Sequence, residues 1–180
     1  MTFGGVIFGP TLLLAAQAPD YVTSGSFLTF HASPAFSESY VSVDVGRLKG
    51  EDSEPAYWFM WRERDKSSGE VRKSRWTDTK NCDAASSVLT SLHGVSPPRV
   101  SIPGYEVSPG GGIRIMGDGV HYEISVRAHY SGTEGSDLSF SSNVGTPLAE
   151  WIEGSLEVLE PCWSSEAPAA LAEKEFSLNL

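Results

Sequence analysis

The stretch "VHYEISVRAHY", residues 120–130, decides the fold. Tyr122, Ile124, Val126, Ala128 and Tyr130 fall on one side of it, and His121, Glu123, Ser125, Arg127 and His129 on the other. A period of two is that of a β-strand, whose successive side chains point to opposite faces. One apolar side and one polar side describe a strand of an antiparallel sheet in which only one face is covered.

The same signature recurs outward from there. Gly117-Asp118-Gly119 supplies a tight turn, so residues 113–116 are expected to pair with 120–130 as a hairpin. Downstream, Leu138, Phe140 and Ser142 alternate with Asp137, Ser139 and Ser141. Upstream, residues 21–31 are rich in Thr, Phe, Tyr and Val, and Val41, Val43 and Val45 oppose Tyr40, Ser42 and Asp44. Residues 57–64 begin apolar on both sides, as expected of a strand covered on both faces. The turn "DKSSGE" then returns the chain as residues 71–77.

Two stretches change to the helical period. In "DTKNCDAASSVLTSLHG" Asp78, Thr79 or Asn81 is expected to cap a helix, and Ala85, Val88, Leu89 and Leu92 share one face of it. Cys82 lies at the edge of that face, and Gly94 stands where a helix ends. A second helix is expected over residues 147–160, with Thr146 as cap and Pro147 in the first turn. Leu148, Ile152, Leu156 and Leu159 form its apolar stripe, flanked by Trp151. Glu150, Glu153, Glu157 and Glu160 line the opposite side, and Pro161 stops the helix. The order is ββββ-α-βββ-α. The expected class is therefore α+β, an antiparallel sheet of about seven strands with two amphipathic helices on one face.

A chain of 180 residues, 40% apolar and 20% charged, suits one globular domain, here residues 19–163. Residues 164–180 are Ala- and Glu-rich and are expected to be partly mobile, with Phe176 and Leu178 as anchors. The net charge of −10 argues against nucleic acid as a partner and suits solubility or a basic partner. Residues 1–18 contain an apolar run ending Ala16-Gln17-Ala18, the small-x-small pattern of a signal peptide. No Lys or Arg precedes that run, and Pro19 follows it. A buried first strand in a cytoplasmic protein is the alternative. No stretch of the mature chain is long and apolar enough to be an integral membrane segment.

Cys82 and Cys162 are too far apart in the chain for a C-x-x-C motif or a short zinc pattern. Two free thiols, a disulfide, and a metal shared with histidines remain open. The disulfide is favoured if the helices pack antiparallel, because Cys82 opens one helix and Cys162 follows the end of the other.

Catalytic signatures such as G-x-S-x-G, H-E-x-x-H, a Walker loop or a dinucleotide fingerprint are absent, so no catalytic residue, metal ligand or cofactor is assigned. His121 and His129 share a strand face but lie ~26 Å apart at ~3.3 Å per residue, too far to hold one ion. The more distinctive stretch is "YWFMWRERDKSSGEVRKSRW", residues 57–76. Arg62, Arg64, Lys66, Arg72, Lys73 and Arg75 cluster there with Trp58, Trp61 and Trp76. Arg and Trp are the residue types enriched at binding hot spots. Interleaved Glu63, Asp65 and Glu70 fit a merely structural hairpin equally well.

Three segments, "RWTDTKNCDAASSVLTSL", "GDGVHYEI" and "SNVGTPLAEWIEGSLEVLEPCW", together resemble a group of small exported proteins of Gram-negative bacteria that have no known activity. The resemblance implies an exported, periplasmic or secreted protein with Cys82 and Cys162 paired, and it implies no catalytic residue. The expected function is binding of an unknown protein or small ligand without catalysis. The surface is either the hairpin (Trp58, Trp61, Arg62, Arg64, Arg72, Arg75, Trp76) or the polar face (His121, Glu123, Arg127, His129). The alternatives are a small hydrolase-like enzyme using that His/Glu face, and an acidic inhibitor or immunity-type protein using the glutamate ridge of the second helix.

Overall fold

A computed structural model of the protein describes residues 25–48, 55–98, 119–129 and 135–167. Six strands and two helices follow one another: β1 (Ser26–Pro34), β2 (Ser39–Arg47), β3 (Tyr57–Asp65), β4 (Val71–Asp78), α1 (Asp83–Ser91), β5 (Val120–His129), β6 (Gly135–Ser142) and α2 (Pro147–Leu159). The strands form one sheet in the order β4-β3-β2-β1-β5-β6, with every neighbouring pair antiparallel. The class is α+β as expected. The described order is ββββ-α-ββ-α, because the strand expected at residues 113–116 lies outside the described residues. So do the leader region, Tyr130, Phe176 and Leu178.

Alternation assigns each strand's side chains to a face. Leu28, Phe30, Val43, Val45, Phe59, Trp61, Tyr122 and Ile124 are buried on one face, and Ala85, Val88, Leu148, Ile152 and Leu159 of the helices pack on them. Each of the larger aliphatic and aromatic side chains contributes about 1.5–3 kcal/mol on leaving water, so this face holds the fold together. Trp151 flanks the stripe in the sequence but is buried. Its ring meets Phe30 edge-on at 5.0 Å, and its Nε1 donates to Ser91 Oγ at 3.0 Å, joining α2 to both the sheet and α1. Glu153 is exposed, as expected of the solvent side, and also accepts a hydrogen bond from the Tyr122 hydroxyl.

Thr146 caps α2 by accepting from the Ala149 N–H, and Pro147 fills the first turn. The start of α1 differs from the sequence expectation. Its N-cap is Cys82, which makes no side-chain cap bond. Asp78 is used one turn earlier, where its carboxylate accepts the N–H groups of Lys80 and Asn81. Thr79 extends the β3–β4 pairing, its N–H donating to Tyr57 O and its Oγ1 accepting the Tyr57 N–H. The sulfur at the cap position is bonded: Cys82 and Cys162 form a disulfide with a Cα–Cα distance of 5.9 Å. Cys162 closes the short 3-10 turn Glu160–Cys162 that follows α2, so the bridge ties the start of α1 to the end of α2. Beyond it, Ser164 pairs with Trp76 through two backbone hydrogen bonds, fastening the segment to β4. No helix among the described residues is long and apolar enough to cross a membrane.

The second face carries a smaller apolar cluster at one end, Leu48, Trp58, Met60 and Trp76. The Trp58 ring lies directly on Gly46, where an added Cβ would overlap it. Gly46→Ala is therefore expected to lower stability by about 1–3 kcal/mol through overpacking, read from the denaturant midpoint.

Candidate functional site

The remainder of the second face is polar, and strand register sorts it into rows. One row runs Ser139, Ser125, Thr29, Asp44, Met60, Trp76. The next runs Ser141, Glu123, His31, Ser42, Arg62, Ser74. Residues directly opposite on one face stand about 4.5–5.5 Å apart, close enough to interact. His121 opposite Ser33 and Tyr40 opposite Arg64 carry the same face toward the strand ends. A concavity of about 540 Å³ lies over this area, lined by Ser42, Arg62, Arg64, Lys66, His31, His121 and Glu123 among others.

The floor is charged and buried. Arg62 pairs with Asp44, both side chains being below a tenth exposed. The second oxygen of Asp44 accepts from Thr29 Oγ1 at 2.7 Å. Burial pushes the Arg62 guanidinium below the ordinary arginine value, and the Asp44 charge opposes that shift. Two polar atoms of the floor, Arg62 Nε and Ser42 Oγ, are buried and have no hydrogen-bond partner among the described residues. Arg64 and Lys66 stand at the rim, with Arg64 Nη1 donating to the Gly69 carbonyl at 3.0 Å and Lys66 Nζ to that of Pro34.

The opposite wall is made by β1 and β5. His31 Nε2 lies 3.6 Å from Glu123 Oε2, and His121 Nε2 lies 3.7 Å from the same oxygen. Ser139 Oγ donates to the other carboxylate oxygen of Glu123 at 3.2 Å. Burial lowers the pKa of His31 from its ordinary value, the Glu123 charge opposes this, and nearby His121 adds to it. Burial thus favours the neutral imidazole of His31, the form able to accept or to ligate.

The basic and aromatic hairpin forms, but it does not make one surface. Trp58, Trp76, Arg62 and Arg64 belong to the open face, whereas Trp61 and Arg75 belong to the helix face. All three tryptophans of the hairpin are buried, so the hairpin presents none of these indoles to a partner. Arg75 is engaged: its guanidinium lies 4.1 Å over the Trp61 ring and 5.9 Å from the Trp163 ring, and it donates to Glu160 at 2.7 Å. That hydrogen bond holds the Glu160 carboxyl below the usual range. Arg72 pairs with Asp65 in the turn. Hydrogen bonds from the Ser67 hydroxyl and the backbone N–H groups of Ser68 and Ser67, with Arg72, hold the Asp65 carboxyl well below its ordinary value. All four glutamates of the ridge are exposed, and Glu153 and Glu160 are also bonded within the molecule.

Of the residues expected on the polar face, the structure unites His121 and Glu123. Arg127 faces Asp137 further along, and His129 pairs with Gly135 at the far end of β5. His31 completes the group. The sequence places it at a strand end, but β1 continues past it to Pro34. Its only sequence signal was the polar parity of Thr29, His31 and Ser33. The pairing of β1 with β5, which sets His31 against Glu123, has no local signature. Comparisons with family models, with curated proteins and with solved structures find no match to this chain, so they do not bear on the resemblance to exported proteins.

Proposed function

We propose that this protein is an exported binding module that takes a small oxyanionic ligand in the concavity on the open face of its sheet. The observation that carries the reading is the floor. Ser42 Oγ and Arg62 Nε are buried without partners among the described residues at the base of the concavity. Buried polar groups are almost always hydrogen-bonded; these two have almost no access to solvent, so a ligand with acceptor oxygens partners them once the side chains lining the concavity give way. Arg64 and Lys66 add positive charge beside them, on a protein of net charge −10. The disulfide supports an oxidising compartment, and N-terminal sequencing of the mature protein tests export.

Calorimetric titration with inorganic phosphate and with citrate as probes tests the binding. At least one is expected to bind, and Ser42→Ala is expected to weaken that binding about tenfold, the worth of a hydrogen bond to a charged group. Ser42→Ala removes an orphaned hydroxyl, so it should leave stability unchanged or raised. Binding of neither probe, or equal affinity in the variant, contradicts the proposal.

A second reading, a small hydrolase on the same face, is favoured by one observation. His31 and His121 converge on Glu123 inside an open concavity. Turnover of nitrophenyl esters or phosphates that disappears in Glu123→Gln moves the assignment from binding to catalysis.

A further inference from the structure

Two imidazoles aimed at one carboxylate oxygen make an unusual contact. At 3.6 and 3.7 Å, His31 Nε2 and His121 Nε2 are both beyond hydrogen-bond reach of Glu123 Oε2. A direct bond to either ring does not explain the arrangement. All three ligand atoms lie within 4.8 Å of one another. Around a tetrahedral zinc-type ion, with ligand distances of ~2.0–2.2 Å, neighbouring donor atoms sit about 3.3–3.6 Å apart. The three side chains therefore need to close by only tenths of an ångström for two contacts, and by somewhat more for the third.

We propose that His31, His121 and Glu123 form a binding site for one divalent transition-metal ion of the zinc type. The strand geometry prepares it. His121 and Glu123 are two residues apart on β5 and so share a face, and register places His31 directly opposite Glu123. Supporting contacts hold the donors: Ser139 Oγ occupies the second oxygen of Glu123 at 3.2 Å, and the Tyr40 ring packs edge-on against His31 at 6.0 Å. Such outer contacts orient metal ligands in known sites. Two imidazoles and a carboxylate suit zinc or iron(II) rather than calcium or magnesium, which take oxygen ligands. The His121 side chain is 50% exposed and Glu123 36%, so an ion has a path of entry. Three protein ligands leave coordination positions open toward the concavity, where Arg64 and Lys66 stand. The proposal uses other side chains than the anion-binding floor and does not depend on it.

The purified chain, stripped of metal, is titrated with Zn²⁺ in competition with a chromogenic chelator. Uptake of one equivalent is expected. His121→Ala and Glu123→Gln are each expected to weaken it about tenfold or more, and Ser139→Ala to weaken it less. His93→Ala, in the helical turn after α1, is expected to bind like the parent. Thermal unfolding midpoints equal to the parent's show that a weakened variant has lost a ligand and kept its fold. No uptake in competition with the chelator, or uptake unchanged in both His121→Ala and Glu123→Gln, overturns the site. Uptake of Zn²⁺ by a protein that binds neither phosphate nor citrate supports it and removes only the anion reading.

Discussion

Asp44→Ala is expected to lower unfolding free energy by about 3–5 kcal/mol, because it strands a buried guanidinium. Asp44 is 4% and Arg62 7% exposed, and Arg62 Nε already lacks a partner among the described residues. Removing the carboxylate also orphans Thr29 Oγ1, which donates to it. Chemical denaturation of parent and variant measures the loss, and a loss below about 1 kcal/mol would mean that water reaches the pair and screens it. The double variant Asp44→Leu with Arg62→Met separates stability from purpose. Replacing a whole buried ion pair with apolar side chains is often neutral or stabilising by about 1–4 kcal/mol. The double variant should thus fold as well as the parent and yet bind no oxyanion. A pair kept only for stability would make the two variants equally poor folders.

Loss of the disulfide is the second large effect. The bridge spans a sequence separation of 80. In the chain-entropy model a loop of that length restricts the unfolded chain by about 4.5 kcal/mol, with about 2–4 typical of measured bridges. The measured loss should fall below the model value, since the reduced, unfolded chain keeps residual structure; the fold itself should persist, because the segment after α2 is held by other contacts. Trp163 packs near Arg75, and Ser164 pairs with Trp76. Cys82→Ala with Cys162→Ala, or the parent under reductant, should shift the denaturant midpoint accordingly while binding at the open face persists. The bridge lies on the helix side of the sheet, away from Ser42 and Arg62. Two alkylatable thiols in the unreduced, purified protein would contradict the pairing.

The elements were legible where one periodicity ruled. Residues 120–130 declared a half-buried strand, and Thr146-Pro147 followed by the Leu148, Ile152, Leu156, Leu159 stripe declared α2 and its start. The start of α1 was not legible, because Asp78 and Thr79, both good caps by residue type, are drawn into the turn from β4. Their use depends on where Tyr57 and Lys80 come to rest. The hairpin of residues 57–76 shows a different limit. Its composition of Arg and Trp suggested one surface, but alternation sends Trp61 and Arg75 to the helix face and Arg62 and Trp58 to the other. Trp151 was placed beside its helix's stripe, and only the approach of Phe30 and Ser91 draws it into the core.

The candidate site was half legible. His121, Glu123 and Arg62 stood out as polar or charged groups at regular positions. Ser42 and Asp44 were visible as the polar side of β2 but carried no functional signal. His31 joined Glu123 only through the pairing of β1 with β5, and that pairing joins residues far apart in sequence. It follows from the burial of both strands' apolar sides under the same helices, not from any local motif.

The central claim is that the open polar face of the sheet is where a ligand sits. Amide chemical-shift mapping by NMR during a phosphate titration tests it most directly. The account predicts progressive shifts in β1, β2 and β3 around His31, Ser42, Arg62 and Arg64, with α2 unmoved. Shifts confined to α2 around Glu150 and Glu157, or no shifts with phosphate or citrate, would contradict it.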